Sequence, residues 1–295
     1  MPSLTRRRFL QVAAGAAATG ALVLGEDTTL LEPNRPILTA MEVPLARLPV
    51  AFDGFTIAQL SDFHYDDQLS PVPMGAAIEI VNRLQPDLVV LTGDIATVPV
   101  FHRVLHNAKR SAAVVEPCAR LLTQLRARLG TVSILGNHDI GCDAPRITAT
   151  LQACGIPVLR NRAVPLEQDG GRIWLCGLDS VVEKKQNINQ ALHGVPGDEL
   201  VILLVHEPDF ADRAAHYPVD LQLSGHSHGG QIWLPGIGAP WLPEFAQKYP
   251  RGQHRIGPLT LYTNMGIGTI RLPIRLNCPP EVTLFTLRSQ PAVPK

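Results

Sequence analysis

The chain has 295 residues, 45% of them hydrophobic and 18% charged, and its 26 basic side chains match its 26 acidic ones. That apolar fraction can bury a sizeable core and excludes a disordered chain. The charge balance argues against a binder of nucleic acid duplexes, which needs clustered Lys and Arg for its phosphate contacts.

Thr5-Arg6-Arg7-Arg8-Phe9-Leu10-Gln11 precedes a small-residue apolar run from Val12 to Gly25. A cationic start before a short apolar stretch is the layout of an export signal. The paired arginines followed by Phe-Leu resemble the twin-arginine signal. At about fourteen residues, the run falls short of the roughly 20 that span a bilayer. The expectation is a signal segment over 1–25, read by the twin-arginine export machinery, and a protein of the periplasm or cell envelope. An uncleaved segment would leave it anchored. Residues 26–49, with prolines at 33, 36, 44 and 49, read as an extended lead-in, and 50–295 as a single domain.

From Ala51 onward, strand-like runs alternate with helical periods. Phe55–Leu60 reads as a strand, and Met74–Leu84 carries the apolar stripe of a helix. Asp87–Leu91 is an apolar run typical of a strand covered on both faces. A helical repeat from Cys118 to Leu129 ends at Gly130. Thr131–Leu135 is a strand, Ile147–Cys154 a short helix, and Ile173–Gly177 a strand or hairpin. Leu200–Val205 and Val219–Leu223 are buried strands around a short helix near Ala211–Ala215. Leu259–Thr263 and Val282–Leu287 close the chain. The alternation predicts an α/β layered domain. The five cysteines (118, 142, 154, 176, 278) have no CxxC spacing. A Cys142–Cys154 bridge is conceivable, and buried thiols are the expectation.

The residues just beyond the apolar strands are informative. Asp62-Phe63-His64 lies past the first, Gly93-Asp94 past the second and Gly136-Asn137-His138-Asp139 past the third. His206 then comes after Val205, and Gly225-His226-Ser227-His228 after Leu223. In open α/β sheets, ligands bind outside the carboxyl ends of strands, so these five termini can meet at one site. Half of the ten histidines lie in these motifs. Carboxylates, an amide and imidazoles without thiolate suit Mn, Fe, Co, Ni or Zn and disfavour a structural zinc site. Seven candidate ligands exceed the needs of one ion with open positions, and two ions sharing a carboxylate divide them.

In set and order these motifs resemble the calcineurin-like metallophosphoesterases. The resemblance implies a four-layer α-β-β-α sandwich with the metal site at the C-terminal ends of its strands, and two divalent ions. Asp62, His64 and His228 would hold the first ion, Asn137, His206 and His226 the second, and Asp94 would bridge them. His138 would face the phosphate, and Asp139 would orient its ring. A bridging hydroxide would attack phosphorus in line, with His138 able to protonate the leaving oxygen. Two dications against two carboxylates and a hydroxide leave a positive site, suited to a phosphorylated small molecule, lipid or wall polymer. The wording Leu223–Gln231 and Asn264-Met265-Gly266-Ile267-Gly268 resembles the exported or membrane-associated phosphodiesterase branch, which implies peripheral membrane or cell-wall contact. The chain departs from many relatives at Ile95-Ala96-Thr97, where they carry a further acid or amide.

Two other readings compete. One is an exported metal binder without turnover, against which His138 argues. The other is a serine esterase, because Gly225-His226-Ser227-His228-Gly229 satisfies G-x-S-x-G. That motif needs a helix after the serine, which Gly229-Gly230 break, and an acid then a histidine downstream, where only Glu244 and His254 remain. His102, Arg103, His106, Lys109 and Arg110 form a basic cluster that reads as a solvated face or a rim for an anionic group. Trp233, Trp241, Phe245 and Tyr249 read as core or lid. His193, His216 and His254 read as structural or surface.

Overall fold

A computed structural model of the chain describes residues 19–20, 23–97 and 114–290. The paired arginines and the basic cluster at 102–110 lie outside the described residues. No helix among those described is long and apolar enough to cross a membrane.

Among the described residues, eleven strands form two sheets. The first has the order β1 (Ile37–Leu45), β11 (Glu281–Ser289), β2 (Thr56–Leu60), β3 (Leu88–Leu91), β4 (Thr131–Ser133). The second runs β5 (Arg162–Gln168), β6 (Gly171–Gly177), β7 (Leu200–Leu204), β8 (Leu221–Ser224), β10 (Leu259–Thr263), β9 (Gly252–Ile256). Strands β2, β3 and β4 are parallel. So are β6, β7, β8 and β10. Continuous apolar runs are what parallel strands covered on both faces require, and Leu88–Leu91 and Leu200–Leu204 are buried throughout.

Alternation along the strands assigns the layers. Ile57, Leu88 and Val90 face Ile173, Leu175, Ile202, Leu204, Leu221 and Leu223 in a core between the sheets. The alternate residues Ala58, Leu60, Val89 and Leu91 pack outward beneath α1 (Pro71–Leu84), α2 (Val115–Leu122) and α3 (Asn137–Ala153). Cys176, Val201, Leu203 and Leu261 pack outward beneath the short helices α4 (Ile188–Ala191) and α5 (Ala211–Ala214). The result is the expected α-β-β-α sandwich.

Strands β5 and β9 and helix α4 have no range in the sequence reading, and three further segments differ from it. The lead-in over 26–49 is extended only in part: Asp27–Leu31 and Glu32–Asn34 are helical turns, and the rest supplies β1, which pairs in parallel with β11 along its whole length. Pro44 is tolerated there because β1 is an edge strand. Helix α2 stops at Leu122 because the residues beyond it are engaged elsewhere. Arg126 N–H donates to the Asn82 side chain and Arg128 N–H to the Pro86 carbonyl. Helix α3 starts ten residues earlier than expected, at Asn137, with a kink at Asp143 and Pro145 inside it that breaks the apolar period. No disulfide forms among the described residues, including between Cys142 and Cys154.

Candidate active site

Every predicted ligand sits just past the carboxyl end of a strand. Asp62 and His64 follow β2, Asp94 follows β3, Asn137 and His138 open α3 after β4, His206 follows β7, and His226 and His228 follow β8. The backbone is forced at these positions. Asp62, His64, Asp94, His226 and His228 all have left-handed φ, between 41° and 69°. Each such residue costs about 1–3 kcal/mol and persists only where its surroundings over-determine it. Here backbone pairing supplies that. Asp62 N–H donates to the Gly93 carbonyl and His64 N–H to the Asp94 carbonyl, both at 3.0 Å. Glycine is required where strands converge: a Cβ at Gly136 would overlap Asp94 Oδ1, and one at Gly225 would overlap Ser61 Oγ.

The side chains form groups whose ligand atoms lie within 4.8 Å of one another. One is Asp62, His64 and His228; a second is Asp94, His206 and His226; a third joins His64 and Asp94 to His138. Asp94 Oδ2 stands between the first two, 3.4 Å from His64 Nε2 and 3.1 Å from His206 Nε2. Its other oxygen accepts the backbone N–H of His138 at the start of α3, at 2.9 Å. Asp62 accepts the His226 N–H on both oxygens, leaving Oδ1 3.3 Å from His228 Nε2.

The ring tautomers are set by acceptors outside the site. His206 Nδ1–H donates to the Thr92 carbonyl at 2.7 Å, which turns Nε2 toward Asp94. His226 Nε2–H donates to the Glu244 carbonyl at 2.9 Å, which frees Nδ1. His64 Nδ1 pairs with Thr97 Oγ1 and frees Nε2. Such outer partners orient metal-binding imidazoles and fix the donor atom. His64 Nε2, His228 Nε2 and Asn137 Oδ1 are buried without a hydrogen-bond partner. Orphaned polar atoms are costly, and divalent cations would satisfy all three. The donor set is N and O without thiolate, so these residues fit divalent metal.

Electrostatics agree with the geometry. Burial alone would raise the Asp94 carboxyl, but His206, His138 and His64 hold it well below the usual carboxylate range. Burial opposes protonation of His206, yet Asp94 and Asp62 raise its basicity well above that of an ordinary imidazole. Burial lowers His64 and His228 well below it and His226 below it. His64 and His206 both face Asp94, and the shorter contact takes the proton.

Asp139 is buried, and its hydrogen bonds run to backbone. Oδ2 accepts from Gly136 and Ile95, and Oδ1 from Ala96. It ties the segment after Asp94 to the start of α3, so its hold on His138 passes through the backbone. Burial and the Asp94 charge push it up to about 7 against those donors. The His138 ring stands edge-on to His64, with centroids 4.9 Å apart. Ser227 is buried, and its Oγ accepts the Gly229 N–H. A three-residue turn with Gly229 at φ 57° comes after it, where a nucleophile elbow needs a helix.

The calcineurin-like phosphoesterase family model matches residues 55–230, which span the five motifs. The chain belongs to this family. It is 37% identical over 294 residues to the uncharacterized metallophosphoesterase YkuE of Bacillus subtilis, covering 98% of this chain and 99% of that protein. It is 30% identical to the phosphodiesterase YaeI of Escherichia coli over 96% of this chain and 99% of that one. It is also 30% identical to a Bos taurus transmembrane protein with a metallophosphoesterase domain, over 98% of this chain and 65% of that one. The chain is thus a metal-dependent hydrolase of phosphoric esters.

Of the aromatic quartet, Phe245 and Tyr249 pack on the outer core of the second sheet. Trp241 is about half exposed, with Arg271 stacked on it at 4.1 Å. His193, His216 and His254 take no part in the site. The sequence reading missed Thr92, Thr97 and Glu244, because a backbone carbonyl or a lone hydroxyl leaves no residue-type signal.

Proposed function

We propose that this chain is an exported dinuclear phosphodiesterase acting on a small-molecule, lipid or wall-polymer phosphate. The observation that carries the dinuclear reading is the position of Asp94 Oδ2, within 3.4 Å of the free nitrogens of two rings from different ligand groups. Asp62, His64 and His228 would hold one ion, Asn137, His206 and His226 the other, and Asp94 both. Mn, Fe or Zn would supply Lewis acidity toward a phosphoryl oxygen and acidify a water.

The chain's own residues do the rest. The Thr92 and Glu244 carbonyls fix which nitrogens of His206 and His226 face inward, and Thr97 orients the His64 ring. The His138 N–H in the first turn of α3 holds Asp94 at a positive helix end, where a carboxylate is favoured. His138 is half-buried at the same helix start. Its ring nitrogen is the group placed to deliver a proton to the leaving oxygen. The diester preference is supported by the resemblance to a protein named a phosphodiesterase. Export through the twin-arginine machinery is supported by Arg6-Arg7 ahead of the apolar run. Peripheral contact with membrane or wall is supported by the exposed Trp241, Ile237 and Leu272.

The test is hydrolysis of bis-p-nitrophenyl phosphate with Mn²⁺, alongside Asp94→Ala and His138→Ala. Asp94→Ala should lose turnover of this substrate, and His138→Ala should lose it with a diester whose leaving group is an alkoxide. Stoichiometric metal binding without hydrolysis of any phosphoester would favour a metal-binding protein instead.

A further inference from the structure

Arg275 is fully buried, yet no carboxylate pairs with it among the described residues. Its guanidinium is solvated by carbonyls instead. Nη1 donates to Cys278 O at 2.8 Å, and Nη2 donates to Met265 O and Gly266 O at 3.1 Å and to Gly268 O. Its Nε has no partner. Burying a cation without a direct ion pair is expensive, and burial lowers its basicity against the opposing charges of Asp62, Glu32 and Glu281. A greasy side chain would fill the same space at lower cost if packing were the only requirement.

The carbonyls it gathers belong to the backbone behind one half of the metal site. Ile267 N–H donates to Ser61 O at 2.9 Å and Gly268 N–H to Asp62 O at 2.8 Å. Gly266, at φ +73°, lies so close that a Cβ there would be 2.7 Å from Asp62 Cβ. Cys278, which supplies one of the four carbonyls, reaches forward as well: its Sγ donates to His228 O at 3.1 Å. Arg275 therefore bolts together the segments that hold Asp62 and His228 in their left-handed conformations. Among the described residues, its hydrogen bonds reach no backbone behind His206.

A second layer holds Arg275 from outside. Its backbone N–H donates to Thr28 O at 2.9 Å. The Glu32 carboxylate accepts the N–H groups of Asn277, at 3.1 Å, and of Cys278. The turn just beyond the expected signal segment thus buttresses the 275–278 loop.

We propose that Arg275 is a positioning residue for the Asp62–His64–His228 half of the metal site, and that Glu32 acts through the same loop. The proposal rests on the two-ion reading above. Losing an outer partner of a metal ligand typically weakens binding roughly 10–100-fold. The effect should fall on one half-site alone, because Arg275 contacts only that half.

The experiment titrates the full-length chain with Co²⁺, following visible absorption and bound metal by equilibrium dialysis. His228→Ala and His206→Ala identify which binding step belongs to which half. Arg275→Met should weaken the step lost in His228→Ala by roughly 10–100-fold and alter its absorption band, while the other step is unchanged. Arg275→Lys should recover part of the loss. Glu32→Gln should weaken the same step by a few-fold, and it decides the matter if Arg275→Met does not fold. Both steps unchanged in folded Arg275→Met, or in Arg275→Lys and Glu32→Gln if it does not fold, would overturn the proposal. Equal weakening of both steps would overturn it too. A wild-type chain that binds fewer than two Co²⁺ would overturn the two-ion reading instead.

Discussion

The backbone N–H of His138 donates to Oδ1 of Asp94 at 2.9 Å. One carboxylate oxygen is thereby fixed by the helix that carries His138, and the other is left facing the His64 and His206 ring nitrogens. Asp94→Asn keeps the oxygen that accepts this bond and removes the charge. It should fold as the wild type does, yet lose more metal affinity than the roughly 100-fold upper range for an outer partner. Dialysis against Mn²⁺ and thermal unfolding check the two halves of this statement. A variant that retained both ions would deny Asp94 its shared role.

His138→Ala isolates the ring, because alanine retains the N–H that holds Asp94. Bound metal should be unchanged, while kcat for a phosphodiester with an alkoxide leaving group falls about 10²–10⁴-fold. With bis-p-nitrophenyl phosphate, whose phenolate leaves without a proton, the loss should shrink. A fall of the same size for every leaving group would remove His138 from proton delivery.

Metal uptake should expel a proton from His206. Asp94 and Asp62 raise its basicity well above that of a free imidazole, so the metal-free site holds it charged at pH 7. A raised pKa fixes the sign: the contribution of this charged pair to stability is fully present below about pH 6.5 and is lost as pH rises through the raised value. His64, His226 and His228, held neutral by burial, contribute oppositely and weaken the metal-free fold as pH falls below about 6.5. Calorimetric Mn²⁺ titration at pH 7 in buffers of different ionisation enthalpy should report at least one proton released per chain. His206→Gln should lower the release by about one. Release of none by the wild type would contradict the assignment.

Ser227→Ala separates hydrolase classes. Ser227 Oγ accepts the Gly229 N–H at 3.0 Å. The variant should keep its turnover, and unfolding should register the lost cap at about 1 kcal/mol. Abolished turnover in a chain that still binds metal would restore the serine route.

Much of this site was legible because its residue types are improbable where they occur. Apolar runs such as Leu88–Leu91 announce buried parallel strands, and His, Asp or Asn just beyond five of them mark one rim. The start of α3 was not legible, since Pro145 and the kink at Asp143 interrupt the period that signals a helix. Strand β1 was hidden because an edge strand needs only one buried face and admits Pro44. Arg275 was hidden more deeply. Nothing in Arg-Leu-Pro-Ile-Arg distinguishes a surface cation from one enclosed by four carbonyls, because that enclosure is assembled from residues 265–278 only in the folded chain.

The central claim is that two ions held around Asp94 make the chain a phosphoesterase. Its most direct test is hydrolysis of bis-p-nitrophenyl phosphate as Mn²⁺ is added back to chelator-treated protein, with bound metal measured in the same samples. Turnover should be absent without metal and should saturate as the second ion per chain is bound. Undiminished turnover in the metal-free protein, or a chain loaded with two ions that hydrolyses no phosphoester, would contradict it.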